Sequence, residues 1–280
     1  VYKRQLHMPA IHLARLKIQI SELLSFFDSP SDFIRELHVI FEFYADRTRR
    51  PGQSGKPKPL IQAYNVPRQV MRRLYSDIAS LVVDDPEGGI DLADRLWVDS
   101  WFECRLLAIN ILGCLPIMHH DQVVARLSRW GGSCKEDVLI DTLLQDGADK
   151  IRREMPDNFQ ILVEEWLSIS ETPLKKLGLR AIPPLVENQK FDNLPILYRL
   201  LAPLLRESST TLEIDLVKAI RALGYRSPQE TTYFLKQNLI APHKSGTAVI
   251  VRKCIDVFPI EIQTQLREVL RERMRTDTRV

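Results

Sequence analysis

The sequence predicts an all-α protein, and three observations support this fold class. The 280 residues include only 11 Gly, and apolar residues recur with the 3.6-residue period of a helix along most of the chain. Few segments alternate with the period of two that strands require. Two stretches, at 92–112 and 162–182, share one design: an apolar segment ending near a Trp, a short polar turn and a second apolar helix.

The second helices of these pairs recur with a regular spacing. Their markers, mostly small residues inside apolar helices, are separated by about 35, 35, 41 and 35 residues, a period typical of helix-pair repeats. Small side chains at such positions let two helices approach closely. We therefore expect an α-α superhelix, an ARM/HEAT-like repeat solenoid; ordinary amphipathic helices are the alternative. The markers are Ala108, Leu143, Gly178, Ala219 and Cys254.

The N-terminal part of the chain precedes the clear repeats. Residues 3–27 have the apolar period of one amphipathic helix, and a second helix is expected to reach about Tyr44. Residues 46–60 form a basic stretch rich in Pro and Gly, which predicts a flexible loop. Helices resume at Pro67, where Pro suits a first helical position. We expect one helical-repeat domain over residues 1–280, with the N-terminal helices in 1–90 and the helix pairs in 91–270.

Composition restricts the function classes. The net charge is +3, from 39 basic and 36 acidic residues, so a surface for nucleic acid must be a local face rather than a bulk property. Four Cys without a C-x-x-C pair predict buried, reduced thiols. No apolar run approaches the roughly 20 residues of a membrane span. We expect a cytoplasmic protein that does not bind membranes and is a monomer.

The sequence contains no recognisable cofactor motif. A P-loop, a dinucleotide-binding Gly motif and the H-E-x-x-H and G-x-S-x-G motifs are all absent. His119, His120 and Asp121 are consecutive, but adjacent His side chains on a helix point in different directions. They predict a polar turn that caps the next helix. We therefore expect neither a metal nor a cofactor.

Four short motifs carry a family resemblance over roughly residues 10–275. They are Leu96-Trp97 followed by residues 102–108, residues 64–68, residues 165–167 followed by 174–176, and residues 227–230. Together they resemble the DNA alkylation repair enzyme family, the HEAT-like-repeat alkylpurine DNA glycosylases. Within the best of these motifs, Glu103 and Arg105 are expected to fix the turn between two helices rather than to contact a ligand.

The resemblance implies a concave basic surface that binds duplex DNA and hydrolytic removal of N3- or N7-alkylated purines, without metal or cofactor. Such chemistry needs a carboxylate beside the sugar as the glycosidic bond breaks. It also needs aromatic faces against the cationic base. Asp141 takes the position of the family's carboxylate, whereas Asp137 and Pro173 stand where its aromatic residues would be. Trp130 and Trp166 lie nearby in sequence and are the candidates for base stacking.

Basic residues near the starts of second helices are candidates for phosphate contacts. For Asp141, the alternative to catalysis is a partly buried Asp paired with a neighbouring Arg or Lys. For the basic residues, the alternatives are a solvated cationic face and, in the 46–60 stretch, a plain linker. The DNA-binding candidates are Lys175, Lys176, Arg180, Arg252, Lys253, Arg49 and Arg50.

Two functions follow from these features. The first is a duplex-DNA-binding solenoid similar to alkylpurine DNA glycosylases, which removes or only recognises alkylated bases in DNA repair. The second is a non-catalytic scaffold for protein–protein interaction, because helix-pair solenoids present grooves to protein partners. If the chain is an enzyme, we expect a cofactor-free glycosylase that hydrolyses the N-glycosidic bond.

Overall fold

The computed structural model describes residues 12–46, 60–207, 209–240 and 246–277. Arg49 and Arg50, with nearly all of the predicted basic loop, lie outside these residues. Within the described ranges the regular elements are helical, and the one β-type contact is an isolated bridge between Gln62 and Trp101.

Fifteen α-helices follow one another in the described residues. The first seven are α1 Leu13–Leu24, α2 Pro30–Tyr44, α3 Arg68–Asp84, α4 Pro86–Trp97, α5 Phe102–Cys114, α6 His120–Ser133 and α7 Asp137–Thr142. The others are α8 Asp149–Glu154, α9 Pro156–Ser168, α10 Thr172–Val186, α11 Leu194–Glu207, α12 Glu213–Arg226, α13 Pro228–Ile240, α14 Gly246–Cys254 and α15 Ile260–Asp277. A π-helical turn, Leu143–Gly147, continues α7, and 3₁₀ turns occupy Ile117–His119 and Ile255–Val257.

Proline sets the start of several helices. A proline occupies one of the first two positions of α2, α4, α9 and α10. There its missing N–H leaves no helical hydrogen bond unmade, and its fixed φ suits the helix. Before α4, the side chain of Asp85 also accepts a hydrogen bond from the Gly88 N–H at 3.1 Å. This cap satisfies one of the free donors at a helix start.

The chain divides into two compact units. Unit 1 comprises the described residues of 1–130 and 134–148, and unit 2 comprises 131–133 and the described residues from 149 onward. In unit 1, α2 packs on α4, α3 and α4 pack on α5, and α5 packs on α7 and the π-helical turn. The Trp97 and Trp130 rings stack in its core, with centroids 4.6 Å apart and planes 6° from parallel.

Unit 2 contains two rows of stacked helices. One row runs α10, α12, α14 and the other α11, α13, α15, while α9 packs along α10. At Gly178 on α10, an added Cβ would lie 2.8 Å from the Leu167 side chain on α9. The two helices therefore approach so closely here that glycine fits where a larger residue would have to displace Leu167.

Polar contacts repeat between equivalent positions of neighbouring helix pairs. Each joins residues 32–35 apart in sequence, which agrees with the period expected from the sequence. They include Arg126 with Asp94, Tyr198 with Thr231, Arg206 with Asn238, Arg221 with Asp256, and Arg273 with the Leu239 carbonyl.

The repeat markers support the predicted class. Ala108, Leu143, Ala219 and Cys254 are fully buried, and they lie in α5, the π-helical turn, α12 and α14. With Gly178 in α10, each marker falls in the second helix of a pair or in its direct continuation. The all-α helical-repeat fold is therefore confirmed, whereas the superhelical course of the repeats stays a prediction.

Two further sequence expectations concern membranes and disulfides. In the described ranges, no single helix has both the length and the apolar character needed to cross a membrane. One pair of consecutive helices, bent by 113° at the break between them, meets these two requirements by length and composition alone. No disulfide joins the four Cys, all of which are described.

Candidate nucleic-acid interface

Two of the motifs that carry the family resemblance meet in unit 1 at Glu103. This residue lies in the first turn of α5 and is 4% exposed. Its carboxylate accepts hydrogen bonds from the backbone N–H groups of Tyr64 at 3.0 Å, Asn65 at 2.7 Å and Val66 at 3.3 Å. A helix N-terminus favours a negative charge. Glu103 therefore holds the segment before α3, and not the turn between two helices that the sequence analysis expected.

A second carboxylate holds the same segment from the next repeat. Glu136, immediately before α7, is 7% exposed and accepts the Leu60 N–H at 2.5 Å. Between these anchors, the Gln62 carbonyl accepts the Phe102 N–H at 2.8 Å. Residues 60–66 are thus fixed across the N-terminal ends of α5 and α7. Asn65 has a positive φ of 58°, an uncommon conformation that Asn adopts more readily than most residues.

Beside this segment lies a cluster of ring and acidic side chains. Tyr64 stacks on Trp101, with ring centroids 3.7 Å apart and an interplanar angle of 13°. The His38 ring lies between two polar partners: Nδ1 is 3.0 Å from the Tyr64 hydroxyl and Nε2 is 3.0 Å from Asp99 Oδ2. Burial, together with nearby acidic groups, raises the pKa of Tyr64 to about 12. The hydroxyl therefore stays protonated at neutral pH.

Arg105 stabilises the turn between α4 and α5, as expected. Its Nε donates to the Asp99 carbonyl at 2.9 Å, and its guanidinium lies 5.6 Å from the centroid of the Trp97 ring. A cation over an aromatic face is attracted by the ring quadrupole. Both contacts hold the turn rather than a ligand.

Asp141, the candidate catalytic carboxylate, lies on α7 with its side chain exposed, and Asp137 is exposed one turn earlier. The π-helical turn that follows is an irregularity often found at functional sites. At this turn the backbones come close, since a Cβ on Gly113 would lie 2.4 Å from the Asp146 carbonyl oxygen. Asp141 is accessible to a substrate, and its catalytic role stays a prediction.

The two Trp residues proposed for base stacking are core residues. Trp130 and Trp166 are each 1% exposed; Trp130 stacks on Trp97, and Trp166 meets Phe159 edge to face with centroids 6.4 Å apart. A ring that stacks on a base needs an open face. This burial argues against the expected role for both residues.

The basic residues of α10 have two different environments. Lys175 and Lys176 are half-buried near the start of the helix, and neither forms an ion pair with a residue in the described ranges. Arg180 is 7% exposed, and its Nε lies 3.8 Å from Asp215 Oδ1, which is also buried. A buried guanidinium facing a carboxylate is not available to phosphate. Arg180 is therefore a structural residue rather than the expected DNA contact.

The basic pair of α14 also separates. Lys253 forms an ion pair with Glu213 at the start of α12. Arg252 lines a surface pocket of about 230 Å³ together with Ile255, Arg267, Leu270 and Arg271. The structure thus brings Arg252 together with two Arg residues of α15 that the sequence analysis did not select. We call Arg252, Arg267 and Arg271 the arginine pocket.

Only a weak pattern in the sequence points to this pocket. Arg267 and Arg271 are four residues apart and so share one helix face. Glu268 and Glu272 follow them directly, which makes α15 resemble an ordinary solvated helix of mixed charge. Only the packing of α15 beside the end of α14 brings the three arginine residues to one pocket.

These features define a class of protein: an all-α helical-repeat protein with local cationic sites rather than a basic surface throughout. The model of the DNA alkylation repair enzyme family matches residues 42–253, more than half of the chain. The chain belongs to this family, which confirms the resemblance seen in the sequence and supports a function related to DNA repair. Comparisons with curated proteins and with solved structures gave no significant match.

Proposed function

We propose that the protein binds duplex DNA in the repair of alkylation damage and that the arginine pocket binds a phosphate of the DNA backbone. The observation that carries this proposal is that three arginine side chains, from α14 and α15, line one pocket of unit 2. Family membership supplies the repair context.

The chemistry of the pocket suits a phosphodiester. Guanidinium groups match phosphate oxygens with paired N–H donors. Ile255 and Leu270 supply an apolar wall, and such a wall strengthens charge-assisted hydrogen bonds by lowering the local dielectric constant. Arg267 Nη2 donates to Gln263 Oε1 at 2.9 Å, a contact that orients the side chain before an anion arrives.

Lys175 and Lys176 are the second group of proposed contacts. A lysine ammonium binds phosphate as a point charge and tolerates varied geometry. A net charge of only +3 implies few phosphate contacts. We therefore expect modest affinity that weakens with salt, without preference among DNA sequences.

We further propose that the protein recognises alkylated DNA rather than excising the base. Asp141 supplies an exposed carboxylate, but Trp130 and Trp166 are buried. Pro173, at the other position where the family has an aromatic residue, is exposed at the start of α10. These three positions therefore offer no open ring for the cation–π contact that would hold a cationic base during bond cleavage.

Duplex binding measured by fluorescence anisotropy at low salt tests the proposal. We compare the wild type with a variant in which Arg252, Arg267 and Arg271 are all changed to Gln, and we expect affinity to fall at least about 10-fold, since each lost phosphate contact removes released counterions.

The matched control changes three surface arginines, each paired with an acidic residue on its own helix, to Gln. These are Arg35, Arg95 and Arg153. The control variant changes the net charge by the same amount as the pocket variant does, and it should bind duplex DNA nearly as tightly as the wild type. Undetectable duplex binding at low salt, or equal losses in both variants, would refute the proposal.

A further inference from the structure

Three side chains with metal-binding atoms converge in unit 1. The nearest donor atoms of His38, Asp99 and Cys104 all lie within 4.8 Å of one another. In a tetrahedral zinc site, donors about 2.0–2.3 Å from the metal are roughly 3.3–3.8 Å apart. Small side-chain adjustments would bring the three donors to that separation. We propose that His38 Nε2, an Asp99 carboxylate oxygen and the Cys104 thiolate bind one Zn²⁺ ion.

The groups around these donors are arranged as they are around protein metal ligands. His38 Nδ1 is 3.0 Å from the Tyr64 hydroxyl, which leaves Nε2 directed at Asp99. The other carboxylate oxygen of Asp99, Oδ1, accepts the Trp101 N–H at 2.9 Å. Metal-binding His and Asp residues usually have such second partners, which fix the tautomer and the orientation of the ligand.

The charges of the cluster also favour a cation. Asp99 and a Cys104 thiolate together carry two negative charges, which balance Zn²⁺. The ion replaces the thiol proton, which is released to solvent. The N, O and S donor set matches the ligand preferences of zinc.

The position of the cluster indicates what the ion would do. His38 lies in the middle of α2, Asp99 in the turn after α4 and Cys104 in the first turn of α5. One ion would join α2 to the start of α5 and the turn before it, since His38 and Asp99 are 61 residues apart in sequence. His38 and Asp99 have side chains 28% and 14% exposed, so solvent can supply a fourth ligand from that side. Zinc in this position stabilises unit 1 next to the Glu103 contacts.

Cobalt(II) substitution tests the site directly. The full chain is stripped with EDTA, dialysed and titrated with Co²⁺, which reports tetrahedral coordination through visible d–d bands and thiolate ligation through near-ultraviolet charge transfer. We expect both bands to saturate at one equivalent and to disappear when one equivalent of Zn²⁺ is added. Octahedral Co²⁺ without a thiolate band in the wild type would overturn the proposal.

Variants identify the ligands. Cys104→Ser should lose the thiolate band, whereas Cys254→Ser, which changes an equally buried thiol in unit 2, should keep it. His38→Gln changes a partly exposed residue and is expected to fold, so it covers the case in which Cys104→Ser does not; it should lose the tetrahedral bands. Tyr64→Phe should weaken Co²⁺ binding about 10-fold. Full retention of the thiolate band in His38→Gln would contradict the assignment.

Discussion

Glu103→Gln is the substitution whose effect follows most directly from the geometry. In the wild type, Oε1 accepts the N–H groups of Asn65 and Val66, and Oε2 accepts that of Tyr64. The amide oxygen of Gln can replace only one of these acceptors. If it stays with Asn65 and Val66, the Gln NH₂ group faces the Tyr64 N–H. Two donors then meet in a buried place, and one backbone group loses its partner.

The expected cost can be summed from these contacts. A hydrogen bond to a charged group contributes about 1.5–3 kcal/mol, and a neutral one about 0.5–1.5 kcal/mol. One charged bond is lost and two become neutral, the longer of them, at 3.3 Å, contributing least. The free energy that holds residues 64–66 in place should therefore fall by about 3 kcal/mol, roughly a 100-fold change in the opening equilibrium.

Hydrogen exchange at the amides of residues 64–66 measures this change, because these N–H groups are the ones that Glu103 binds. We expect exchange about 100-fold faster in Glu103→Gln than in the wild type. Glu136→Gln is the matched control, since Glu136 is similarly buried but accepts only the Leu60 N–H; its effect at residues 64–66 should be below 10-fold. Exchange in Glu103→Gln no faster than in the control would refute the reasoning.

Three other substitutions test separate parts of the structure. The pKa of Tyr64 is raised to about 12 from 10.0, so between these values the folded state keeps a proton that the unfolded state loses. The contribution of protonated Tyr64 to stability is therefore complete below pH 10 and is lost as the pH rises towards 12. Ultraviolet titration of Tyr64→Phe should lack one late tyrosinate step, and an unchanged curve would contradict this. Trp130→Ala removes the stack on Trp97 and should lower the free energy of unfolding, measured by urea denaturation, by about 3–5 kcal/mol. A decrease below about 1 kcal/mol would mean that the core is packed differently. Asp141→Asn should leave the release of 7-methylguanine at the background level expected for the wild type, whereas robust wild-type release that this variant abolishes would show that the protein is a glycosylase.

The fold could be predicted because its signals are local and repeated. The period of 3.6 marks each helix, and small residues such as Ala108 and Gly178 mark where helices cross. For Glu103 the sequence predicted a contact with the turn between two helices, but its carboxylate holds residues 64–66 instead. Its partners at residues 64–66 could not be predicted from spacing, since they lie almost 40 residues earlier.

The direction of individual side chains was harder to predict. Arg180 follows Lys176 by four residues, which suggested a shared solvent-facing side. Yet Leu177, Leu179 and Ile182 surround it with apolar positions, and a helix that is apolar on all sides is buried. Its partner Asp215 belongs to the next helix pair, so the ion pair that neutralises Arg180 becomes visible only when α10 and α12 pack.

Long-range clusters carry no sequence pattern at all. His38, Asp99 and Cys104 belong to different segments, and residues 60–66 come between the first and the second of them along the chain. The arginine pocket likewise requires α15 to pack beside the last turn of α14. Tertiary packing determines which of the 39 basic residues converge, and the order of charges along one helix does not.

The salt dependence of duplex binding tests the central claim most directly. The slope of log K against log salt concentration is about −0.9 for each phosphate contact in B-form DNA. We predict measurable binding at low salt, and a slope that becomes shallower by about 1 when Arg252, Arg267 and Arg271 are all changed to Gln, because the pocket binds one phosphate. A slope near zero in the wild type, or the same slope in the wild type and this variant, would contradict phosphate binding by the arginine pocket.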